Sequence, residues 1–301
     1  MRYVIHRFLL TLIFLGLGSP VQAQSPAESL SPGQSVGMFL GIDALPNLRD
    51  IGGYVTKDGL TVVKGKTYRT NAFYPMTAQD LNKLEILKLK NDYDLRTVQE
   101  INAAPDSTPV GVAFTQLNVL ADDPGMAIPP KKIAELFNDP KAASEYLGGA
   151  QGINTTFIRL YRNLVSLPSA QKSYRTLFLD LANTSTSPNV FHCTNGKDRT
   201  GWAAASLLTL LGVPMDKVYE DYLLSNDYLL PFHEKDITAF IAKGGDKAIP
   251  VAVFGVKREY LDAAFAEMQI RYGTIERYFS EGLHINAQQQ QKIRAAYLAH
   301  K

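Results

Sequence analysis

The sequence has little cysteine, little excess charge and no long apolar run beyond its first residues. Cys193 is the single cysteine among 301 residues, so an internal disulfide is excluded. The pattern GxxxxGK[ST] is absent, which excludes a Walker-type phosphate loop. With 46% apolar and 20% charged residues, the composition is typical of a globular protein and not of a disordered or fibrous one.

The one long, predominantly apolar run lies near the N-terminus, from Phe8 to Gly18. Its length falls short of the roughly 20 apolar residues that a membrane-spanning helix needs. Basic residues precede the run and small residues around Ala23 follow it, so the pattern predicts a signal peptide over residues 1–23. An uncleaved signal anchor is the alternative. We therefore expect an exported protein, periplasmic or secreted, without a stable membrane span after cleavage.

Neither sign of charge is in excess once this leader is set aside. Arg2 and Arg7 belong to the leader, which leaves 29 of the 31 Lys and Arg residues against 29 Asp and Glu residues. A balanced charge does not favour nucleic acid as a partner.

Residues 24–37 are rich in Ser, Pro and Gly and predict a disordered linker, which leaves one domain over residues 38–301. Strands and helices alternate there, so we expect an α/β fold with a mostly parallel central sheet flanked by helices, with helical insertions. The predicted strands cover 54–56 and 60–63 (a hairpin), 66–70, 91–96, 112–119 and 189–191. The predicted helices cover 77–89, 128–149 (an insertion), 155–165, 169–182, 202–211, 214–229, 237–242, 256–272, 274–280 and 286–300.

The chemistry concentrates in the ten residues HCTNGKDRTG, which run from His192 to Gly201 between an apolar strand and an apolar helix. A loop in this position directs backbone N–H groups and the positive end of a helix at one point. Lys197 and Arg199 add full positive charges. We expect the loop to hold a phosphate dianion and to lower the pKa of the Cys193 thiol from its usual value of ~8.5.

The residue types in the loop predict a separate role for each. Cys193 is the candidate nucleophile and would form a phosphocysteine, while Arg199 grips two phosphoryl oxygens. The Thr200 hydroxyl would assist the sulfur in the second step, and His192 would support the loop. The backbone of the loop, over Thr194, Asn195, Gly196 and Lys197, would bind the phosphate. An inert buried cysteine and a rhodanese-like sulfur-transfer loop are the alternatives.

This loop resembles the signature of the cysteine-dependent protein tyrosine phosphatases. Five further segments resemble a bacterial atypical subgroup of that family, similar to a secreted mycobacterial phosphatase; they cover residues 47–53, 94–96, 221–226, 258–261 and 272–276. The resemblance covers most of residues 40–285. It implies a cysteine-phosphatase fold, no metal and no other cofactor, and activity toward phosphotyrosine, often with phosphoserine, phosphothreonine and phosphoinositides.

The sequence indicates the general acid less clearly than the nucleophile, because the WPD-type motif of many tyrosine phosphatases is absent. Asp198 corresponds to the position proposed to act in the mycobacterial-like subgroup. Asp123 and Asp122, which precede Pro124, are the alternatives, and each of these residues could instead serve a turn or a helix cap.

Asp94 and Arg96 lie at the end of a predicted strand, where the sites of α/β proteins gather. Arg96 and Arg49 are predicted to be structural partners in an ion-pair network, which Asp50 could join. Residues 124–150 and 228–275 could form a lid over the pocket.

The leading hypothesis is a tyrosine or dual-specificity phosphatase acting on a phosphorylated protein. Lys197 motivates an alternative, a phosphoinositide or inositol-phosphate phosphatase, unless it is simply a solvated loop charge. A phosphate-binding module without turnover is the third reading.

Overall fold

The computed structural model describes residues 36–128 and 130–300. The predicted signal peptide and residues 24–35 of the predicted linker lie outside the described residues. The described chain begins at Val36, and Gly37 is already buried, with its carbonyl accepting a hydrogen bond of 2.7 Å from the Tyr228 hydroxyl.

Among the described residues, a central sheet has the strand order β1-β3-β6-β4-β5. The strands are β1 (Arg49–Asp50), β2 (Thr61–Val62), β3 (Thr67–Thr70), β4 (Asn91–Asp94), β5 (Ala113–Gln116), β6 (Asn189–His192) and β7 (Leu298–Ala299). The pairs β3–β6, β6–β4 and β4–β5 are parallel, whereas β1 runs antiparallel to β3. A separate antiparallel pair joins β2 to β7. The predicted α/β class with a mainly parallel central sheet is confirmed.

Helices fill the connections between these strands. They are α1 (Ala78–Leu84), α2 (Val98–Ala103), α3 (Pro130–Asn138), α4 (Pro140–Leu147), α5 (Gly149–Ser166), α6 (Pro168–Leu181), α7 (Arg199–Leu210), α8 (Met215–Phe232), α9 (Glu234–Ala242), α10 (Ala248–Phe254), α11 (Arg258–Tyr272), α12 (Ile275–Arg277) and α13 (Ala287–Tyr297). Within the described ranges, no helix combines the length and the apolar character that a membrane crossing requires.

The two faces of the sheet bury different clusters, because successive side chains of a strand point to opposite faces. Tyr68 and Val190 are paired across β3 and β6 and pack in a cluster with the N-terminal segment and α1. Phe191 and Tyr93 are paired one position further along and join the main core, which includes α5, α6, α7 and α11. Helix α7 is almost wholly buried, as its continuous apolar sequence requires.

A third apolar cluster lies apart from the sheet. It contains Leu136, Leu147, Phe240 and Phe254, from α3, α4, α9 and α10, together with Ile153 at the start of α5. We call α3, α4, α9 and α10 the helical cap. The helical insertion predicted over 128–149 is therefore present as α3 and α4.

Several predicted elements differ from the structure at their ends. The Asp58-Gly59 hairpin forms, but its pairing is a single bridge between Val55 and Thr61. The strand predicted over 112–119 is confined to β5. The terminal helix predicted to His300 ends at Tyr297, because Leu298–Ala299 pairs with β2 and this pairing overrides the helical pattern. Helix α10 was not predicted, since its apolar run AIPVAVF has no helical periodicity.

Candidate active site

The loop that follows β6 is held against β3 by a glycine. Gly196 has φ +65°, and a Cβ at this position would lie 2.0 Å from the Thr70 carbonyl oxygen. Only glycine combines that backbone conformation with so close an approach. The loop then enters α7, whose first turn is closed by the Trp202 N–H bonding to the Asp198 carbonyl at 2.9 Å. The strand, loop and helix predicted from the sequence are thus in place.

Cys193 lies at the bottom of this loop, with 2% of its surface exposed, in a cavity of about 70 Å³. Burial raises the pKa of its thiol and the Asp198 carboxylate adds to this, but the Arg199 guanidinium, with Thr200, lowers it by more, so the net pKa is below the ordinary value. The Thr200 Oγ1 is buried and has no hydrogen-bond partner among the described residues. A lowered thiol pKa is the condition that a thiolate nucleophile needs, and the role of Thr200 toward the sulfur stays a prediction.

Arg199 is held by a carboxylate that the sequence reasoning missed. Its Nη1 donates to Glu100 Oε2 at 2.7 Å and its Nη2 donates to Glu100 Oε1 at 2.6 Å. Thr194 Oγ1 donates to the same Oε1. Burial opposes ionisation of Glu100, but Arg199 outweighs it and lowers the pKa of this carboxyl to about 2. The two-pronged contact sets the plane of the guanidinium.

A local signal for Glu100 existed in the sequence. Thr97 and Glu100 form a capping box at the start of α2, in which the Thr97 hydroxyl accepts from the Glu100 N–H and the Glu100 carboxylate accepts from the Thr97 N–H. The spacing predicts the cap. It does not predict that the same carboxylate reaches Arg199, 99 positions along the chain.

Lys197 and Asp198 form a buried pair in the middle of the loop. The Lys197 ammonium donates to Asp198 Oδ1 at 3.0 Å, and it lies 4.4 Å from the centre of the Phe157 ring. Asp198 Oδ1 also accepts from the Tyr161 hydroxyl at 3.0 Å. Only 1% of the Lys197 surface is exposed, so the solvated-charge interpretation of this residue is wrong.

The three candidates for the general acid occupy different places. Asp198 lines the same cavity as Cys193. Asp122 accepts from the Ser169 N–H at 2.7 Å in the first turn of α6, and Asp123 accepts from the Asn163 side chain at 3.2 Å. Neither Asp122 nor Asp123 lines the Cys193 cavity within the part of the chain that is described.

His192 lies behind the loop in a cluster of carboxylates. Its Nε2 lies 3.1 Å from Asp92 Oδ1 and 3.4 Å from Asp106 Oδ2. Burial disfavours the charged ring, but Asp92, Asp94 and Asp106 outweigh it and raise the pKa of His192 well above its usual value. The buttressing role expected of His192 fits this position.

Asp92, Asp106 and His192 are also the one group of described residues whose ligand atoms lie close enough, within 4.8 Å, to hold a metal ion. Two cationic side chains of the protein face the three carboxylates of this cluster. Arg96 donates to Asp106 Oδ2 at 2.6 Å and to Asp94 Oδ2 at 2.8 Å, and a charged His192 faces the remaining carboxylate. Arg96, predicted to be a structural partner, thus lies in an ion-pair network, with Asp94 and Asp106 as its carboxylates.

A second network contains Arg49, which was also predicted to be a structural partner. Arg49 Nε donates to Asp221 Oδ1 at 3.1 Å, and Arg69 Nη1 donates to Asp221 Oδ2 at 2.5 Å. Asp50 is not part of this network: its carboxylate accepts from the backbone N–H groups of Gly52 and Gly65.

The helical cap and the segment before it roof the Cys193 cavity. Met126, Ile128 and Ile133 come from the first predicted lid segment and Val253 from the second. Ile133, Thr194 and Asn195 also line a neighbouring cavity of about 380 Å³, whose walls include Phe137 and Phe254. A volume in that range is typical of a small-molecule site.

Comparison with known proteins gives consistent results. The sequence model described as the tyrosine phosphatase family matches residues 40–299. A protein of Cupriavidus necator provisionally named a tyrosine-protein phosphatase is 27% identical over 281 residues, covering 93% of this chain and 94% of that protein. The triple specificity protein phosphatase PtpB of Mycobacterium tuberculosis is 27% identical over 257 residues, covering 78% and 90%. A tyrosine-protein phosphatase of Nostoc commune is 28% identical over 235 residues, covering 75% and 72%.

Proposed function

The chain belongs to the tyrosine phosphatase family, and from that premise we propose that it hydrolyses phosphotyrosine esters through a phosphocysteine on Cys193. Family membership makes it an enzyme, a phosphoric monoester hydrolase. The observation that carries the mechanism is the shared cavity of Cys193 and Arg199, in which the thiol has a lowered pKa and the guanidinium is held by Glu100.

The reaction proceeds in two steps. The Cys193 thiolate attacks phosphorus as the P–O bond to the tyrosyl oxygen breaks, and Asp198 gives that oxygen its proton. Water then attacks the phosphocysteine, its proton passes to Asp198, and inorganic phosphate leaves as the thiolate is restored. Arg199 and the N–H groups of the loop stabilise the equatorial oxygens in both steps. Thr200 supports the departing sulfur.

We test the nucleophile with the purified protein, p-nitrophenyl phosphate and a chelator. The native protein should release p-nitrophenol, and a rapid acid quench should trap phosphate on Cys193. Cys193→Ser should abolish both signals. Thr209→Val is a matched control, because its hydroxyl bonds to the Ala205 carbonyl on the far part of α7. Full activity in Cys193→Ser would contradict the proposal.

The general acid is tested by the leaving group. Nitrophenolate leaves without a proton, whereas phenolate needs one, so Asp198→Asn should lower kcat/KM for phenyl phosphate by about 100-fold and kcat/KM for p-nitrophenyl phosphate far less. We compare kcat/KM because it reports the step in which the leaving group departs, whereas the hydrolysis of the phosphocysteine is common to both substrates. Asp123→Asn is the control and should affect both substrates equally. A selective loss in Asp123→Asn instead would transfer the role to that residue.

The range of substrates is a second part of the proposal. A relative carries the name triple specificity protein phosphatase, which favours dual specificity for this chain as well. The phosphoinositide alternative was motivated by Lys197 as a contact to a second phosphate. The pairing of this ammonium with Asp198 inside the protein weakens that argument. Comparing kcat/KM on phosphotyrosine peptides, phosphoserine peptides and soluble phosphoinositides decides among them.

We also propose that the protein is exported and cut after Ala23. The basic start and short apolar run of the first 23 residues support this. N-terminal sequencing of the protein from the periplasm and the medium should begin at Gln24; a mature protein that begins at Met1 in the cell extract would contradict it.

A further inference from the structure

The side of the loop that faces away from the Cys193 cavity is held by two side chains from other parts of the chain. Asn47 Nδ2 donates to the Asn195 carbonyl at 2.9 Å and to the Gly196 carbonyl at 3.0 Å. Arg69 Nη2 donates to the same Gly196 carbonyl at 2.8 Å. Asn47 and Arg69 are both fully buried, so water does not compete for these bonds.

Both side chains are themselves fixed by one carboxylate. Asp221 binds Arg69 directly and binds Arg49 through Nε. Arg49 Nη1 in turn donates to the Asn47 side-chain oxygen. That contact leaves the Asn47 amide only one orientation, with its NH₂ group toward the loop. Asp221 therefore orients two donors to the loop: Arg69, which it binds directly, and Asn47, which it orients through Arg49. These donors bind the carbonyls of Asn195 and Gly196.

The orientation of these carbonyls determines the orientation of the backbone N–H groups that are expected to bind phosphate. In a planar trans peptide the N–H points opposite to the C=O. Drawing the carbonyls of Asn195 and Gly196 toward Asn47 and Arg69 turns the N–H groups of Gly196 and Lys197 the other way. An oxyanion site works by such donors being fixed before the charge develops.

The network also carries charge. Arg49 and Arg69 supply two positive charges and Asp221 one negative charge, and all three side chains are buried. The remaining positive charge lies on the carbonyl side of the loop. In an environment of low dielectric constant it favours a thiolate and a phosphate dianion on the other side.

We propose that Asn47 and Arg69 are positioning residues, which hold the carbonyls of Asn195 and Gly196 outward so that the phosphate-binding N–H groups and the Cys193 thiolate are ready before substrate arrives. The effect of these residues on catalysis rests on the proposed function. Asn47, Arg69 and Asp221 lie outside the loop sequence HCTNGKDRTG.

The test uses Asn47→Ala, which removes two donors and no charge, and Arg69→Lys, which keeps the charge but cannot span both Asp221 and Gly196. Tyr297→Phe is the control, since it removes another buried hydrogen bond, the one between the hydroxyl groups of Tyr297 and Thr67. Two measurements do not need turnover. They are the pH dependence of alkylation of Cys193 by iodoacetamide and the binding of inorganic phosphate by calorimetry.

In Asn47→Ala we expect alkylation at pH 5.5 to slow by about 10-fold and phosphate binding to weaken by about 10-fold. Arg69→Lys should give a smaller change, about 3-fold in each, and Tyr297→Phe none. If Asn47→Ala does not fold, Arg69→Lys decides alone. Values within 2-fold of native in a folded variant would overturn the positioning role, even if turnover fell. An ordinary thiol pKa and no phosphate binding in the native protein would contradict the proposed function instead.

Discussion

Glu100 contacts three other residues around the candidate active site. It caps α2 through Thr97, binds Thr194 in the loop and holds Arg199 through both oxygens. Without this carboxylate the Arg199 guanidinium would be buried with only a weak contact of 3.4 Å to the Leu95 carbonyl among the described residues. Removing one partner from a buried pair costs more than the pair contributes, because the other charge remains desolvated.

The same residue makes stability depend on pH. The pKa of Glu100 is about 2 in the folded protein against 4.5 in the reference state. A lowered folded pKa stabilises the protein above pH 4.5, and this contribution of about 3 kcal/mol is lost as the pH falls from 4.5 to 2. Glu100→Gln should lower the free energy of unfolding at pH 7 by a similar amount, and the difference from native should vanish near pH 2.

Urea titrations at pH 7, 4.5, 3 and 2 measure this difference. Glu281→Gln is the control, because Glu281 pairs with Arg277 at the surface, where solvent reaches both side chains. A difference between native and Glu100→Gln that stayed constant across this range would show that the ionisation of Glu100 does not stabilise the fold.

At the scale of elements, α3 forms the boundary between two cavities. Ile133 lines both the cavity of about 70 Å³ that contains Cys193 and its neighbour of about 380 Å³. We therefore expect the position of this helix to set how much of a leaving group fits beside a phosphate bound at Cys193.

Ile133→Ala should enlarge this passage. We expect the ratio of kcat/KM for 4-methylumbelliferyl phosphate to that for p-nitrophenyl phosphate to rise by about 10-fold, because a single methylene group in an apolar pocket is worth at least about that much discrimination. Ile241→Ala on α9 is the control, since Ile241 is exposed and lines neither cavity. An unchanged ratio would place the route of the leaving group elsewhere.

At the scale of the whole molecule, the apolar interior is divided. The main core contains Trp202 and packs against the sheet face that carries Phe191. Leu136 and Phe240 belong to a distinct cluster in the helical cap. A smaller cluster beside the main core can open without unfolding the rest.

Hydrogen–deuterium exchange should reveal this division. Amides of α3, α4 and α9 should exchange at least about 100-fold faster than those of α7, since local opening exposes them at a lower free energy. Addition of inorganic phosphate should slow exchange in the loop from Cys193 to Arg199. Uniform protection of the helical cap and α7 would indicate one cooperative unit instead.

The sequence by itself determined the loop chemistry and the class of the fold. Cys193, Gly196, Arg199 and Thr200 lie within eight consecutive residues, so their spacing and the flanking apolar strand and helix place them together without any distant contact. The alternation of strands and helices predicted the parallel sheet in the same local way.

Only the tertiary structure decided which residues hold that loop. The loop residues that bind Glu100, Arg69 and Asn47 lie 99, 127 and 149 positions away from them in the sequence. Asp221 acts on the loop only through Arg69 and Arg49. No periodicity in the sequence links such distant side chains. It also decided that Lys197 is buried against Asp198 rather than solvated, because that depends on Phe157 and Tyr161 from α5 closing over the pair. Local patterns fix what a segment can be, whereas burial and pairing depend on what packs against it.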